Sequence, residues 1–355
     1  MTLVSIAMRI GHKMGLHRTV ADTRMPFFEQ EMRIRVWWQI MGMESWSRRK
    51  VLGLTLSLAD YGDVRMPMNV NDAELHPNMT NRPIEHLGAT EMLYCLMKYE
   101  VKHYVRSWLK VASVDTVNPY ELLKSAGPGS ISNKKSITTE LSRIYEDKYL
   151  RHCDPNIPLH RISATMGRLT IHRLRFWFYH PRNQPREDRH ISHEDQDIVF
   201  ESSIRLLQLD NDLLATNFST HLLQHQALKQ TEVDALVYMV SELRHRVSGH
   251  LVRTAWALVE QVYQVYPQLV RDDGKFYTAL ADVTLKAWEA YTGGAKTSGE
   301  TVPEFIRELQ GIEQDIGPED MLPATTMGET VPDEGFPPWL IDDDPVDWVY
   351  WNELP

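Results

Sequence analysis

A chain of 355 residues with 43% hydrophobic content can hold one large domain or two ordinary ones, and it is too apolar to be globally disordered. Its two cysteines, Cys95 and Cys153, exclude both a four-thiolate zinc site and a six-thiolate binuclear cluster, and read as buried free thiols of a reducing compartment. The net charge of −10 is unevenly placed: residues 313–355 contain twelve acids and no Lys or Arg, leaving the body nearly neutral, which weighs against direct binding to a polyanion. No segment approaches the ~20 uninterrupted apolar residues of a membrane span. The short apolar run Leu3–Met8 lacks a basic flank and a cleavage site, so no secretory signal is expected.

Residues 2–17 read as a helix in which Leu3, Ile6, Ala7, Ile10 and Met14, with His17 a further candidate, recur at three- and four-residue steps. Pro26 is placed to open a second helix, with Glu29 and Glu31 near its positive end, that runs through Trp37 and Trp38 to about Trp46. Residues 53–85 carry prolines, asparagines and glycine without periodicity and read as a long ordered loop. A further long helix is expected over 86–111, with Leu87, Met92, Leu96, Tyr99, His103 and Trp108 inward. Residues 112–136 hold Asn118-Pro119 and Gly127-Pro128-Gly129-Ser130 and read as an internal loop. Helical patterns resume at 137–151, 157–180, 192–217, 221–266 with a break near Ser248-Gly249, 275–292 and 302–312. No alternating run, no Asn-Gly hairpin and no repeat is evident. The class is all-α, multi-helix, with a long internal loop and a disordered acidic, proline-rich C-terminal tail.

Two stretches near the N-terminus carry the most information. One holds Gly15, Leu16, His17 and Arg18, then Glu31, Arg33, Arg35, Trp37 and Trp38. The other holds Gly53, then Pro67, Asn69, Asp72 and Leu75 in a P-x-N-x-x-D-x-x-L spacing. Adjacent tryptophans on a helix are ~100° apart, so one ring is expected in the main core and the other against a neighbouring segment. Glu31 and Arg35 are spaced i, i+4 in the favoured order. This order of pieces resembles the regulatory, middle-homology domain of fungal zinc-cluster transcription factors. It departs from the family where Ile34 interrupts the basic run and where Gly53-Leu54-Thr55 stands for Gly-x-Pro. The resemblance implies that these residues are scaffold. It is good over 1–110 and looser over 155–293. It also implies that this chain lacks the family's cysteine-rich DNA-binding module, to which the family's zinc belongs.

Other constellations have plainer readings beside their functional ones. Arg48, Arg49 and Lys50 form a candidate nuclear import signal, or simply a helix end whose charges suit the dipole. Arg161, Arg168, Arg173 and Arg175, interleaved with Phe176, Trp177, Phe178 and Tyr179, could bind a nucleic-acid strand. However, Leu159, Ile162, Met166, Leu169, Arg173 and Phe176 trace a helical stripe that reads as core. His221 and His225 are at i, i+4 but without the Glu of H-E-x-x-H. Asp343-Asp344-Pro345-Val346-Asp347 matches the D-D-x-x-D of isoprenoid cyclases, yet a proline at its centre prevents the helix that would aim the carboxylates at magnesium. No phosphate-cradling glycine motif and no G-x-S-x-G occurs.

The tail is the strongest candidate effector. Trp339, Leu340, Trp348, Tyr350, Trp351 and Leu354 sit among carboxylates, the composition of an acidic-hydrophobic activation segment. Charge keeps such rings in water until a partner groove buries them as a short helix, at ~1.5–3 kcal/mol per ring. Docking of the tail on the chain's own core is the plainer alternative.

The expectation is a transcription regulator, or a regulator-like protein, of a fungal metabolic or secondary-metabolite pathway. Its segments are the C-terminal part of the regulatory domain (1–111), a linker (112–136), a helical continuation (137–312) and the tail (313–355). It is expected to be nuclear and to lack catalytic, cofactor and metal residues. Its expected partners are a coactivator or a full-length regulator, as a homo- or heterodimer, with a small-molecule effector as a further candidate. Neither nucleic acid nor membrane is among them. The alternative is an all-α ligand-binding or enzymatic protein such as an isoprenoid cyclase.

Overall fold

The computed structural model describes residues 2–19, 25–48, 62–111, 130–181, 192–214, 230–271, 274–294 and 302–315. Every regular element among them is helical. The chain divides into two compact units, Met1–His190 and Ile191–Pro355. That boundary falls inside the segment read from sequence as one helical continuation.

The first unit contains α1 (Thr2–Lys13), α2 (Phe27–Arg48), α3 (Leu93–Val111), α4 (Ser130–Lys148) and α5 (Pro158–Tyr179). Helix α1 stops at Gly15, whose φ of 68° suits glycine. Gly15 N–H donates to His12 O and Leu16 N–H to Gly11 O, the paired bonds of a Schellman motif. The apolar stripe of α1 is not its packed face. Leu3, Ile6, Ile10 and Met14 are 80%, 46%, 53% and 54% exposed, while Met8, Gly11 and Leu16 are buried. The cause is Gly11, where an added Cβ would stand 3.1 Å from the Trp37 ring. A face carrying glycine lets α1 approach the indole closely, and the bulkier aliphatic stripe is turned outward.

Helix α2 begins just after Pro26, whose carbonyl accepts the first helical bond, from Gln30 N–H. Trp37 lies in a cluster with Met8, Leu16, Met41 and Val64. Trp38 turns to α3, with its ring centroid 5.4 Å from that of Tyr99.

Helix α3 starts at Leu93 and not at 86, and Leu87 is 90% exposed in the preceding strap. The start is set by Thr90, whose carbonyl accepts from Leu93 N–H and whose hydroxyl accepts from Met92 N–H. Helix α4 begins at Ser130, seven residues before the expected 137, because a polar first two turns hide its periodicity. Buried Glu100 ties α3 to the end of α4: it accepts from the Tyr149 hydroxyl and from Lys148 Nζ at 3.0 Å. Burial beside that carboxylate pushes the Tyr149 phenol upward. In α5 Leu169 and Phe176 of the expected stripe are buried, the small residues Ser163, Ala164 and Gly167 are buried with them, and Leu159 is exposed. Gly167 admits the Met97 methyl, which an added Cβ would strike at 2.1 Å.

The second unit contains α6 (His193–Leu214), α7 (Gln230–Leu243), α8 (His250–Val265), the single turn α9 (Gln268–Arg271), α10 (Lys275–Gly294) and α11 (Glu304–Asp315). Helix α7 is its centre, packing on α6, α8 and α10. Residues 235–241 of α7 are all buried, as befits a helix surrounded on every side. The break between α7 and α8 falls at Gly249, whose φ is 118°. Tyr263 stacks on Phe305 at 4.9 Å, and Trp256 meets Trp288 edge-on at 5.1 Å. Arg246 pairs with Glu242 and Asp197 and covers the Phe200 ring.

Candidate functional site

The motif residues converge on one hydrogen-bonded clasp that fastens the segment 62–92 to α1 and α2. Its centre is Glu31, whose side chain is fully buried on α2. One carboxylate oxygen, Oε1, accepts from Met68 N–H at 2.9 Å and from Arg35 Nε at 3.4 Å. The other, Oε2, accepts from Arg65 Nη2 at 2.6 Å. Arg35 continues the chain through Nη1, which donates to Asp72 Oδ1 at 2.7 Å. Two cations and two anions thus alternate, Arg65, Glu31, Arg35, Asp72, and the pattern leaves no net charge. A buried carboxylate is tolerable only when it is paired and its lone pairs are filled, and three donors do so here.

The remaining motif residues extend this clasp. Trp38 Nε1 donates to Arg65 O at 2.7 Å, fixing the backbone that presents the arginine. Pro67 is buried, and Leu75 joins Met68 and Val70 in a small cluster against Phe27, Phe28 and Met32. Asn69 Nδ2 donates to both His86 O and Gly88 O, while its Oδ1 accepts from Thr90 Oγ1 at 2.7 Å. Asp72 N–H donates to Glu91 Oε2.

Beyond Gly15 and Leu16, His17 O accepts from Asp63 N–H, and its ring lies 5.7 Å from that of Trp37. Arg18 Nε donates to His17 Nε2 at 3.1 Å. Arg33 Nη2 caps the α1 end by donating to Met14 O at 2.5 Å. Gly62 is required at this junction, since its φ is 69° and an added Cβ would fall 1.8 Å from His17 O.

Sequence reasoning missed Arg65, Glu91, Thr90, Glu74 and Gly62. No spacing rule connects Arg65 to a helix residue 34 positions away. The signal that was available is Glu31 itself, an acid on a face that must be buried beside Trp38 and hence in need of distant donors. Of the other predicted residues, Arg48 ends α2, and Arg49, Lys50 and Gly53 lie outside the described residues. Trp339, Leu340, Trp348, Tyr350, Trp351, Leu354, His221, His225 and the Asp343–Asp347 run also lie outside them.

The clasp binds backbone and itself, and nothing in it resembles a nucleophile–base pair. Burial pushes the Cys95 and Cys153 thiols above their ordinary value, the opposite of an activated thiolate. Among the described residues no group of three or more His, Cys, Asp or Glu is placed to hold a metal ion, and no helix is long and apolar enough to cross a membrane.

One part of the clasp is expected to respond to pH. Glu74 accepts from Asn71 N–H at 2.8 Å and meets His86 Nε2 at 2.8 Å. The Asn71 bond first, and His86 second, hold its carboxyl below the ordinary value. Its contribution to folding is therefore complete above the ordinary carboxylate range, around ~4.3, and is lost as pH falls through the lowered folded value. Amide exchange at Asn71 and His86, corrected for intrinsic rate, is expected to accelerate on acidification before that of α2. Equal onset in both segments would contradict this.

Comparison with known proteins places this scaffold. The chain is 33% identical over 316 residues to the aurofusarin cluster transcription factor aurR2 of Gibberella zeae, covering 87% of the chain and 45% of that protein. It is 28% identical over 323 residues to the pyriculol/pyriculariol biosynthesis cluster transcription factor 1 of Pyricularia oryzae, covering 87% and 42%. It is 26% identical over 299 residues to the transcriptional regulator AacuB of Aspergillus aculeatus, covering 81% and 39%. The chain thus spans less than half the length of these curated relatives. No family model and no solved structure matches it. Over most of its length, therefore, the chain is similar to fungal transcription factors, and this shared sequence supports membership of that family.

Proposed function

We propose that the chain is the regulatory and effector part of a transcription regulator for a fungal metabolic or secondary-metabolite pathway, acting in the nucleus through protein partners and not by catalysis. The observation that carries this reading is the 316-residue match to a cluster transcription factor, which is longer than either compact unit and so involves both. The clasp supports it as well: the motif residues serve to hold α1, α2 and the segment 62–92 together.

In this role the helical units are the frame and residues 313–355 the effector. Trp348, Tyr350 and Trp351 are captured by a coactivator groove while the neighbouring aspartates keep the free segment in solution. A full-length regulator, as homo- or heterodimer partner, and a small-molecule effector fit the same role. It requires no cofactor and no nucleic-acid contact by this chain. Arg48, Arg49 and Lys50 supply the import signal.

The test is to fuse residues 313–355 to a neutral DNA-binding domain and measure reporter output in a fungal host. Activation is expected, with strong loss in Trp348→Ala and Trp351→Ala. An inactive fusion, or alanine variants equal to the parent, removes the effector role.

A further inference from the structure

We infer that the outward face of α1 is a docking site for an acidic amphipathic helix of a partner protein. The face is formed by Leu3, Ile6, Ile10 and Met14, four large apolar side chains about half exposed or more. Met14 lies one residue beyond α1, but its N–H still donates to Ile10 O, so it keeps the helical register. The stripe is therefore continuous over about 16 Å, three turns, with the i, i+3, i+4 spacing that helix-in-groove recognition uses. The opposite face of α1 is already committed to Trp37 through Gly11, so α1 cannot rotate to bury its stripe within the unit.

The charge around the stripe selects the occupant. Arg9 and Lys13, spaced i, i+4, are exposed along one edge of it, and Arg18 is exposed just beyond the helix stop. The first acidic residue in the chain is Asp22, so α1 carries no acid of its own; Asp63 meets the backbone at Thr19 beyond the helix stop, beside Arg18 and away from Arg9 and Lys13 in sequence. A second copy of the chain docking through this face would set Arg9 and Lys13 of one molecule near those of the other. An acidic helix brings opposite charge to the same edge, and complementary rims of this kind set both partner choice and association rate. A lipid surface is less well matched, because only one narrow stripe of α1 is available and the helix is held on α2 by its other side.

The experiment uses the full chain and a synthetic helical peptide of about twenty residues, with Leu and Ile on one face flanked by Glu, read by fluorescence anisotropy. Its counterpart carries Lys in place of every Glu. The acidic peptide is expected to bind roughly tenfold or more tightly than the basic one, with affinity falling as salt is added. Ile6→Asp with Ile10→Asp is expected to abolish binding, and Arg9→Glu with Lys13→Glu to reverse the preference between peptides. Thermal unfolding of these variants should match the parent, since the replaced side chains are exposed. Equal binding of both peptides, or unchanged binding by the isoleucine variant, overturns the proposal. Two other results also overturn it and reassign the face. A concentration-dependent dimer that Ile10→Asp dissolves would give it to a second copy. Capture by phosphatidylserine vesicles in preference to the acidic peptide would give it to a membrane.

Discussion

Glu31→Ala is expected to destabilise the first unit by about 3 kcal/mol, the low end for breaking a buried ion pair, because water reaches part of both arginines. The substitution removes the acceptor for three donors at once: Arg65 Nη2, Arg35 Nε and Met68 N–H. Arg35 keeps Asp72 and Arg65 has some access to solvent, but the Met68 amide is buried and left without its partner. An unsatisfied buried donor carries its full desolvation cost. Glu31→Gln keeps the shape and one acceptor but turns an amide N–H₂ toward the donors, so an intermediate loss is expected. The midpoint of urea unfolding should fall at unchanged slope, and amide exchange should rise first over residues 62–75. A variant as stable as the parent would mean that the clasp is ornamental.

The second large effect is at Trp37, only 1% exposed and contacted from α1, α2 and the segment after Gly62. Trp37→Ala is expected to cost ~3–5 kcal/mol, the transfer loss plus an unfilled cavity. Trp37→Phe should restore much of it. The α1 packing makes this more than a generic core truncation. Trp37 is the largest side chain that Gly11 and Met8 meet, beside Ile40 and Met41, so loss of the indole should loosen α1 as a helix. Limited proteolysis within residues 2–19 tests this. Cleavage there in Trp37→Ala but not in a comparably destabilised variant of the second unit, such as Leu236→Ala, is the expected result. Equal resistance of α1 in both would contradict the packing account.

Much of this architecture was legible in the residues, and the failures have physical causes. Helix α2 and the Ser248-Gly249 break could be read because a proline start and a glycine mark them, whereas the Gly15 stop of α1 could not, because the apolar pattern continues to His17. The orientation of α1 could not. Its periodicity marks an apolar stripe, but a glycine on the opposite face decides the packing, and periodicity gives glycine no weight. The pattern places the start of α3 seven residues too early because Leu87 continues it, whereas the Thr90 hydroxyl and its bond to Asn69 fix the true start. The clasp was half visible. Glu31, Arg35, Asn69 and Asp72 stood out as a motif, while Arg65 and Glu91 acquire meaning only when the chain folds back. On α5 the inward face includes Ala164 and Gly167, small residues that allow close helix approach and are silent in a hydrophobicity pattern.

The central claim is that this helical scaffold serves transcription and not catalysis. It is tested most directly by disrupting the coding sequence in the source organism and comparing transcripts and metabolites with those of the intact strain. The account predicts a co-ordinate loss of transcripts from a set of biosynthetic genes, restored by the wild-type chain but not by the Trp348→Ala/Trp351→Ala variant. Unchanged transcripts together with accumulation of one unconverted metabolite would contradict it and point to an enzyme.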